Sequence, residues 1–237
     1  MISCTGPKII QINLEKYPPI INEFNEVLNK YARYSYTDND IILLSDIELN
    51  RIIRIYEEMF LDKEVYYKYC DEIEKAMRDS LNKTVNTNEL FYAADPRRVR
   101  LKIQKTIESK KGKLFYFVLE HPYILKAKVC SSYTVIENDN GFILDRKRYL
   151  VKIIDNLNIA DKEIRDTLDV ISHLGMKNLN IGSEYILVVN EWKGDYGCGL
   201  VDQELTDGVI KGKNWEMRNY YSWYKFKKDF RNKYNVK

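Results

Sequence analysis

Apolar residues recur along this chain at two different periods, and the change between them organises the sequence. Near the start, Ile20, Phe24, Val27, Leu28 and Tyr31 fall on one side of a helix opened by Pro18 and Pro19. Ser45-Asp46-Ile47-Glu48 is a capping box, flanked by Leu44 and Leu49 as a hydrophobic staple would be. The helix behind it presents Ile52, Ile53, Tyr56 and Phe60 to a core. Asp62 caps a third helix whose inner side carries Val65, Tyr69, Ile73 and Met77. The short apolar run from Ile9 to Ile12 reads as an edge strand or an arm.

From Asn82 to Asp95 polar residues break this periodicity. Beyond it, Val99, Leu101 and Ile103 alternate with Arg98, Arg100 and Lys102, the period of a half-buried strand. Apolar runs from Lys113, Tyr123 and Arg148 continue the pattern, separated by Ser109-Lys110-Lys111-Gly112 and Asn138-Asp139-Asn140-Gly141. A helix starting at Asp95-Pro96, with Val99, Ile103 and Ile107 inward, competes with the first strand; the alternation and the Gly112 turn favour the strand. Ile164, Leu168, Ile171 and Leu174 predict a helix over about 160–174, ended by Gly175. The run from Ser183 to Glu191 suits a central strand covered on both faces, and Gly194, Gly197 and Gly199 a turn after it. A last helix, 214–234, is aromatic and basic.

The expected class is therefore α+β: a helical N-terminal part, then a mainly antiparallel β meander with flanking helices. The expected division is a helical region 1–95 and a sheet region 96–237, as two domains or one continuous one.

Composition changes this picture little. The chain has 237 residues, 45% hydrophobic and 31% charged, enough to bury a substantial core. No apolar run spans a bilayer, and the N-terminus lacks the charged-then-apolar order of a secretion signal. Cys4, Cys70, Cys130 and Cys198 are widely spaced, which argues for a reducing compartment rather than a zinc site or disulfide scaffold.

Charge changes it more. Eight cations stand against Glu108 alone between Arg97 and Lys113, and nine against Glu216 and Asp229 between Lys211 and Lys237. Each segment carries +7, so in a chain of net charge +3 the remainder carries −11. Three readings follow: phosphate binding with aromatics stacking on bases, a basic face docking on an acidic face of the next copy, or a solvated charged face. Docking ranks first. Its interface residues are Arg97, Arg98, Arg100 and Lys102, with Tyr220, Tyr221, Trp223, Tyr224, Lys227, Lys228 and Phe230 of the last helix.

Candidate chemistry is sparse. Glu191-Trp192-Lys193 resembles half of a Mg²⁺ nuclease site, with Asp155 the nearest further carboxylate. The glycines around Cys198 match neither phosphate-binding fingerprint, and with His121 and His173 the acid-base inventory is thin. No catalytic residue, cofactor or metal is assigned. The sequence thus points to a non-enzymatic subunit of a larger assembly, with copies of itself and other assembly proteins as partners and no membrane. The abundance of Lys, Ile, Asn and Tyr associates it with bacteriophages, so the concrete form is a virion neck or connector ring protein, located in the virion or host cytoplasm. The alternative is a nucleic-acid binder or a nuclease using Glu191 and Lys193.

Overall fold

The structure, a computed structural model, describes residues 8–84, 94–139, 142–157, 159, 164–172, 178–192, 195–206, 208–210, 220 and 222–235. It is α+β, with helices first and a closed antiparallel sheet after them. The chain divides into two compact units, 1–116 and 117–237.

The first unit is built by α1 (Pro19–Lys30), a 3-10 turn (Ala32–Tyr36), α2 (Asp46–Met59), α3 (Lys63–Thr84) and α4 (Pro96–Lys111). Their starts are written in local chemistry. Pro19 occupies the first position of α1, where no backbone donor is needed. The Ser45 hydroxyl accepts from the Glu48 backbone N–H while the Glu48 carboxylate accepts from that of Ser45. Asp62 accepts from Val65 N–H at 3.2 Å and caps α3. The expected inward residues of α1 and α2 are all buried, and on α3 the buried stripe runs through Tyr66, Tyr69, Cys70, Ile73 and Met77. The core is aromatic: Phe24 packs edge-on against Tyr56 and Tyr69, and Phe60 against Tyr66 and Tyr116.

Several expectations are corrected. Arg97–Ile103 is not a strand but the body of α4, capped by Asp95, which accepts from Arg97 N–H at 2.9 Å. Val99, Ile103 and Ile107 are buried at spacing four, whereas Leu101, which a strand would bury with them, is 50% exposed. Gly112, at φ 99°, ends this helix instead of turning a hairpin. The run from Lys113 is α5 (Lys113–Glu120). An unbroken apolar run of that length has no period with which to separate helix from strand. Ile9 to Ile12 form no strand; Ile9 is buried and its N–H donates to the Asn29 side chain at 2.9 Å.

The second unit contains β1 (Tyr123–Asp139), β2 (Phe142–Leu157), β3 (Thr167–Ser172), β4 (Glu184–Trp192), β5 (Asp195–Thr206), β6 (Val209–Ile210) and α6 (Trp223–Tyr234). Strand order is β3-β2-β1-β4-β5-β6, and β3 also pairs with β5, which closes the first five strands into a barrel. The closing pair is parallel, Val170 opposite Tyr196 and Ile171 opposite Gly197; the other ladders are antiparallel. The helix expected over 160–174 is therefore corrected: 167–172 form β3, and 160–163 and 173–177 lie outside the described residues. Its Leu168 and Val170 point inward with period two. Gly197 and Gly199 belong to β5 rather than to a turn. Only 223–234 of the expected last helix is described as helix; 214–219, Tyr221 and the hairpin residues 140–141 lie outside the described residues.

Leu125, Ala127 and Val129 from β1, Tyr149 and Val151 from β2, Leu168 and Val170 from β3, and Tyr185, Leu187 and Val189 from β4 fill the barrel. Leu179 joins them from the β3–β4 connection, its N–H donating to the Tyr149 hydroxyl at 3.1 Å. Register shifts beside Ala127 and Val129 mark bulges at Ile154 and Cys130, which coil the long strands enough to close. Ile124, Leu157, Ile186 and Val188 occupy outward positions yet are buried. Beside them α6 is fastened to Asp155. Trp223 Nε1–H donates to Asp155 Oδ2 at 2.7 Å and the Lys227 ammonium to Oδ1, while Trp223, Phe226 and Phe230 are buried.

Two predictions follow from these contacts. If 97–111 is helical in phase, Ile103→Ala lowers stability by about 2–5 kcal/mol while Leu101→Lys stays within about 0.5 kcal/mol. Urea denaturation distinguishes this from a strand, in which both positions would respond. Asp155→Ala removes the acceptor for Trp223 and Lys227 and costs about 1–3 kcal/mol, toward the lower end because the carboxylate is partly hydrated. Burial acts to raise the Asp155 carboxyl, but hydrogen bonds from Lys227 and Trp223 outweigh it and hold the group below its ordinary value. Its contribution is complete above about pH 4 and lost as pH falls through the depressed value. Stability measured from pH 7 downward therefore declines less steeply in Asp155→Asn than in the natural sequence.

Candidate functional site

The cations of α4 are engaged within their own unit. Arg100 pairs with Glu74 at 2.6 Å, Lys105 with Asp40 at 2.8 Å and Arg97 with Asp95 at 3.4 Å. Arg98 donates to the Ser35 carbonyl, and Lys102 to the carbonyls of Tyr34 and Thr37. Hydrogen bonds thus hold the 3-10 turn against α4. Among the C-terminal residues, Trp223 and Phe230 are buried, Lys227 is fixed on Asp155, and Tyr220 packs edge-on against Phe226 at 5.0 Å. Tyr224 is 73% exposed with the Lys228 ammonium 6.0 Å from its ring centre. Tyr221 lies outside the described residues. The two basic segments belong to different units; Arg97, Arg98, Arg100, Lys102 and Lys105 are engaged within the first, and Lys225 and Lys227 within the second.

The nuclease half-site is not completed by Asp155. Asp155 stands across from Lys126, and Lys126 across from Ile186, five residues along β4 from Glu191. That separation is about 17 Å along the strand, too far to share a metal. Lys193 lies outside the described residues. Among the described residues no group of three His, Cys, Asp or Glu side chains is placed to hold a metal ion. Burial pushes the Cys70 thiol up to about 11, in spite of the nearby Arg100 guanidinium, so it is a core residue and not a nucleophile. His121 is held at the end of α5, its Nδ1 2.9 Å from the Phe117 carbonyl.

A different set of residues converges on the outside of β1, β2 and β3, running from beside the Asp155 anchor of α6 toward the hairpin end. Inward Tyr149 and Val151 leave Arg146, Arg148, Leu150 and Lys152 pointing out from β2, with the bulge residue Ile154 half exposed at their end. Lys126, Lys128 and Tyr133 lie beside them on β1. Alternate residues of a strand are about 6.7 Å apart, so the β2 cations Arg146, Arg148 and Lys152 form one row, with Leu150 between the last two.

Two carboxylates serve this face. Glu184 pairs with Lys126 at 3.1 Å. Asp169 accepts from Arg148 Nε–H at 3.3 Å and from the Tyr133 hydroxyl, so one acid steadies both the guanidinium and the phenol ring against the sheet. The ring remains 46% exposed. Lys128 and Lys152 are exposed, stand directly opposite each other in the β1–β2 ladder, and among the described residues neither forms an ion pair. Like charges opposite one another oppose strand pairing. The face therefore combines a cationic row, an uncompensated lysine pair, a steadied aromatic ring and the apolar Leu150 and Ile154. It can accept an extended anion with apolar or aromatic groups.

Sequence reasoning identified β1 and β2 and their wet face, but it took β3 for a helix and missed this constellation. The pairing of Lys128 with Lys152 depends on hairpin register and on both bulges, neither of which leaves a mark in local composition.

No protein family, no curated protein and no solved structure matches the chain.

Replacing Lys152 by Glu turns the opposed pair into a complementary one. It is expected to stabilise the protein by about 0.2–1 kcal/mol at low ionic strength, with the gain shrinking as salt is added. Thermal unfolding at two salt concentrations checks this; a destabilised or salt-insensitive variant would show that the two ammonium groups do not oppose each other.

Proposed function

We propose that the second unit is a non-enzymatic nucleic-acid-binding module that takes an extended single strand along the outer face of β1–β2–β3. The observation that carries this reading is the Lys128–Lys152 pair, left without acids in a row where the neighbouring Lys126 and Arg148 are each matched to one. Phosphates would relieve the repulsion, Tyr133 offers a ring on which a base stacks, and Leu150 and Ile154 accept the apolar faces of bases.

Architecture supports the same reading. A meander of three strands, a fourth paired back to the first, and a fifth closing in parallel on the third is the Greek-key arrangement of the OB barrel. That architecture binds oligonucleotides and oligosaccharides over its second and third strands. Shared architecture is analogy and does not by itself assign a ligand. The charge decides between the two classes, since a neutral sugar gives no reason for an unmatched lysine pair.

The assembly reading through α4 and the last helix is weaker, because most of the cations that suggested it are bound within the chain. Its virion setting rests on composition alone.

Fluorescence anisotropy with labelled pyrimidine oligonucleotides, single-stranded and duplex, tests the proposal. Single strands are expected to bind with a steep salt dependence, which Lys128→Gln with Lys152→Gln lowers by about 1.4 in log–log slope, at about 0.7 per phosphate contact. Tyr133→Ala should weaken binding about 5- to 150-fold, the equivalent of 1–3 kcal/mol. Binding that survives the double substitution with its salt slope intact would remove this face as the site, and no binding at low salt would end the reading.

A further inference from the structure

The β1–β2 hairpin is longer than the barrel needs. β4 pairs with β1 only from Tyr123 to Lys128, and the Val129 backbone still exchanges hydrogen bonds with Gly182 and Ser183. On the other side, β3 pairs with β2 only from Arg148 to Lys152. The β1 edge is open from Ser131, and beyond both limits Thr134–Asp139 and Phe142–Lys147 continue as a two-stranded ribbon, about 20 Å long at 3.3–3.4 Å per residue. Among the described residues no strand lies along either of its edges.

The two edges differ in chemistry. The β2 edge runs Asp145-Arg146-Lys147, the charged composition that guards an exposed edge against pairing. The β1 edge runs Ser131-Ser132-Tyr133-Thr134-Val135-Ile136, with no charge and no proline, and four of its six residues are β-branched or aromatic. Ile136 on it is 72% exposed. An unguarded edge of strand-forming residues is a template for another strand.

We propose that two copies of the protein pair antiparallel through this β1 edge, about a twofold axis at Thr134. A twofold axis perpendicular to the sheet requires the central residue to face its own copy. Centring on Thr134 sets Tyr133 opposite Val135 twice, Ser132 opposite Ile136 twice and Thr134 opposite Thr134. Aromatic with β-branched and threonine with threonine are favourable cross-strand pairs, and no charge meets a like charge within the segment. The same operation on the β2 edge, centred on Arg146 or Lys147, sets a cation against its own copy. An occupant without charge thus fits the first edge, and this chain supplies one of matching length. Pairing of this kind keeps the outward faces of both copies on the same side, so the two Lys128–Lys152 sites fall on one continuous sheet. Self-pairing does not depend on the nucleic-acid reading.

Sedimentation equilibrium of the full chain without nucleic acid, from micromolar to millimolar protein, tests the interface. The natural sequence is expected to show a monomer–dimer equilibrium. Thr134→Lys and Thr134→Glu should each be monomeric, because the central position then faces a like charge, and an equimolar mixture of the two should recover the dimer. Since the mixture restores association only between folded copies, it also guards against loss through misfolding. A natural sequence that stays monomeric overturns the proposal. So does a dimer that survives both substitutions, a mixture that remains monomeric, or a larger ring, which would instead indicate head-to-tail contact between unlike edges. Oligonucleotide binding by monomeric Thr134→Lys, measured separately, keeps the fate of the nucleic-acid site distinct from that of the interface.

Discussion

The parallel pairing of β3 with β5 is the contact on which the second unit depends. It turns a sheet with two open edges into a closed barrel, and closure assigns every strand position to an inside or an outside. The inside admits only apolar groups or tyrosines whose hydroxyls find partners, and it is met by Leu125, Leu187, Tyr149 and Tyr185. The outside must then be divided between a covered region and a wet one. Two bulges draw the line. On β2 the bulge at Ile154 leaves Ile154 half exposed beside Asp155, the anchor of α6. On β1 the bulge at Cys130 moves the outward set from Lys126 and Lys128 to Ser131, Tyr133 and Val135. The cationic face and the bare edge are both consequences of where these extra residues fall.

In the first unit the corresponding constraint is helix packing around aromatic rings, and it explains why a segregated sequence does not make a segregated surface. α4 is strongly basic along the chain, but it lies beside α3 and the 3-10 turn, whose carbonyls and carboxylates face it. Arg100 is mostly buried, and its guanidinium pairs with Glu74 at 2.6 Å in spite of the desolvation cost. Proximity in sequence is a poor guide to net field. What matters is which acids the fold brings within a few ångströms, and for α4 they come from residues as distant as Asp40 and Glu74.

Legibility in the sequence followed the range of the forces concerned. The first three helices were readable because their signals are local: proline at the first turn, a capping box at Ser45, an aspartate cap at Asp62, and stripes at spacing three and four. The central strand β4 was readable because an unbroken apolar run between polar ends suits double cover. α4 was misread because Val99 and Ile103 satisfy both periods and Leu101, exposed on the helix, completes an apparent alternation; Ile107 and the Asp95-Pro96 start are the signals for the helix. β3 was misread for the opposite reason. Its spacing fits a helix, and the choice is made by two distant strands that need a partner. The candidate site was unreadable for the same cause, since register across a bulged hairpin is a tertiary fact.

The pattern of compensation on the barrel face separates charge that the fold uses from charge that it leaves unmatched. Glu184 stands across the β1–β4 ladder from Lys128, yet its carboxylate pairs with Lys126. Asp169 stands across the β2–β3 ladder from Leu150, and reaches along to Arg148 and Tyr133. Both of these carboxylates therefore pair away from Lys128 and Lys152, which face each other across the ladder. Where a cation serves the fold, as Lys227 does on Asp155 or Arg100 on Glu74, the same chain supplies its acid. Leaving Lys128 and Lys152 unmatched weakens the hairpin slightly in the free protein, and an anion arriving from outside would reverse that penalty.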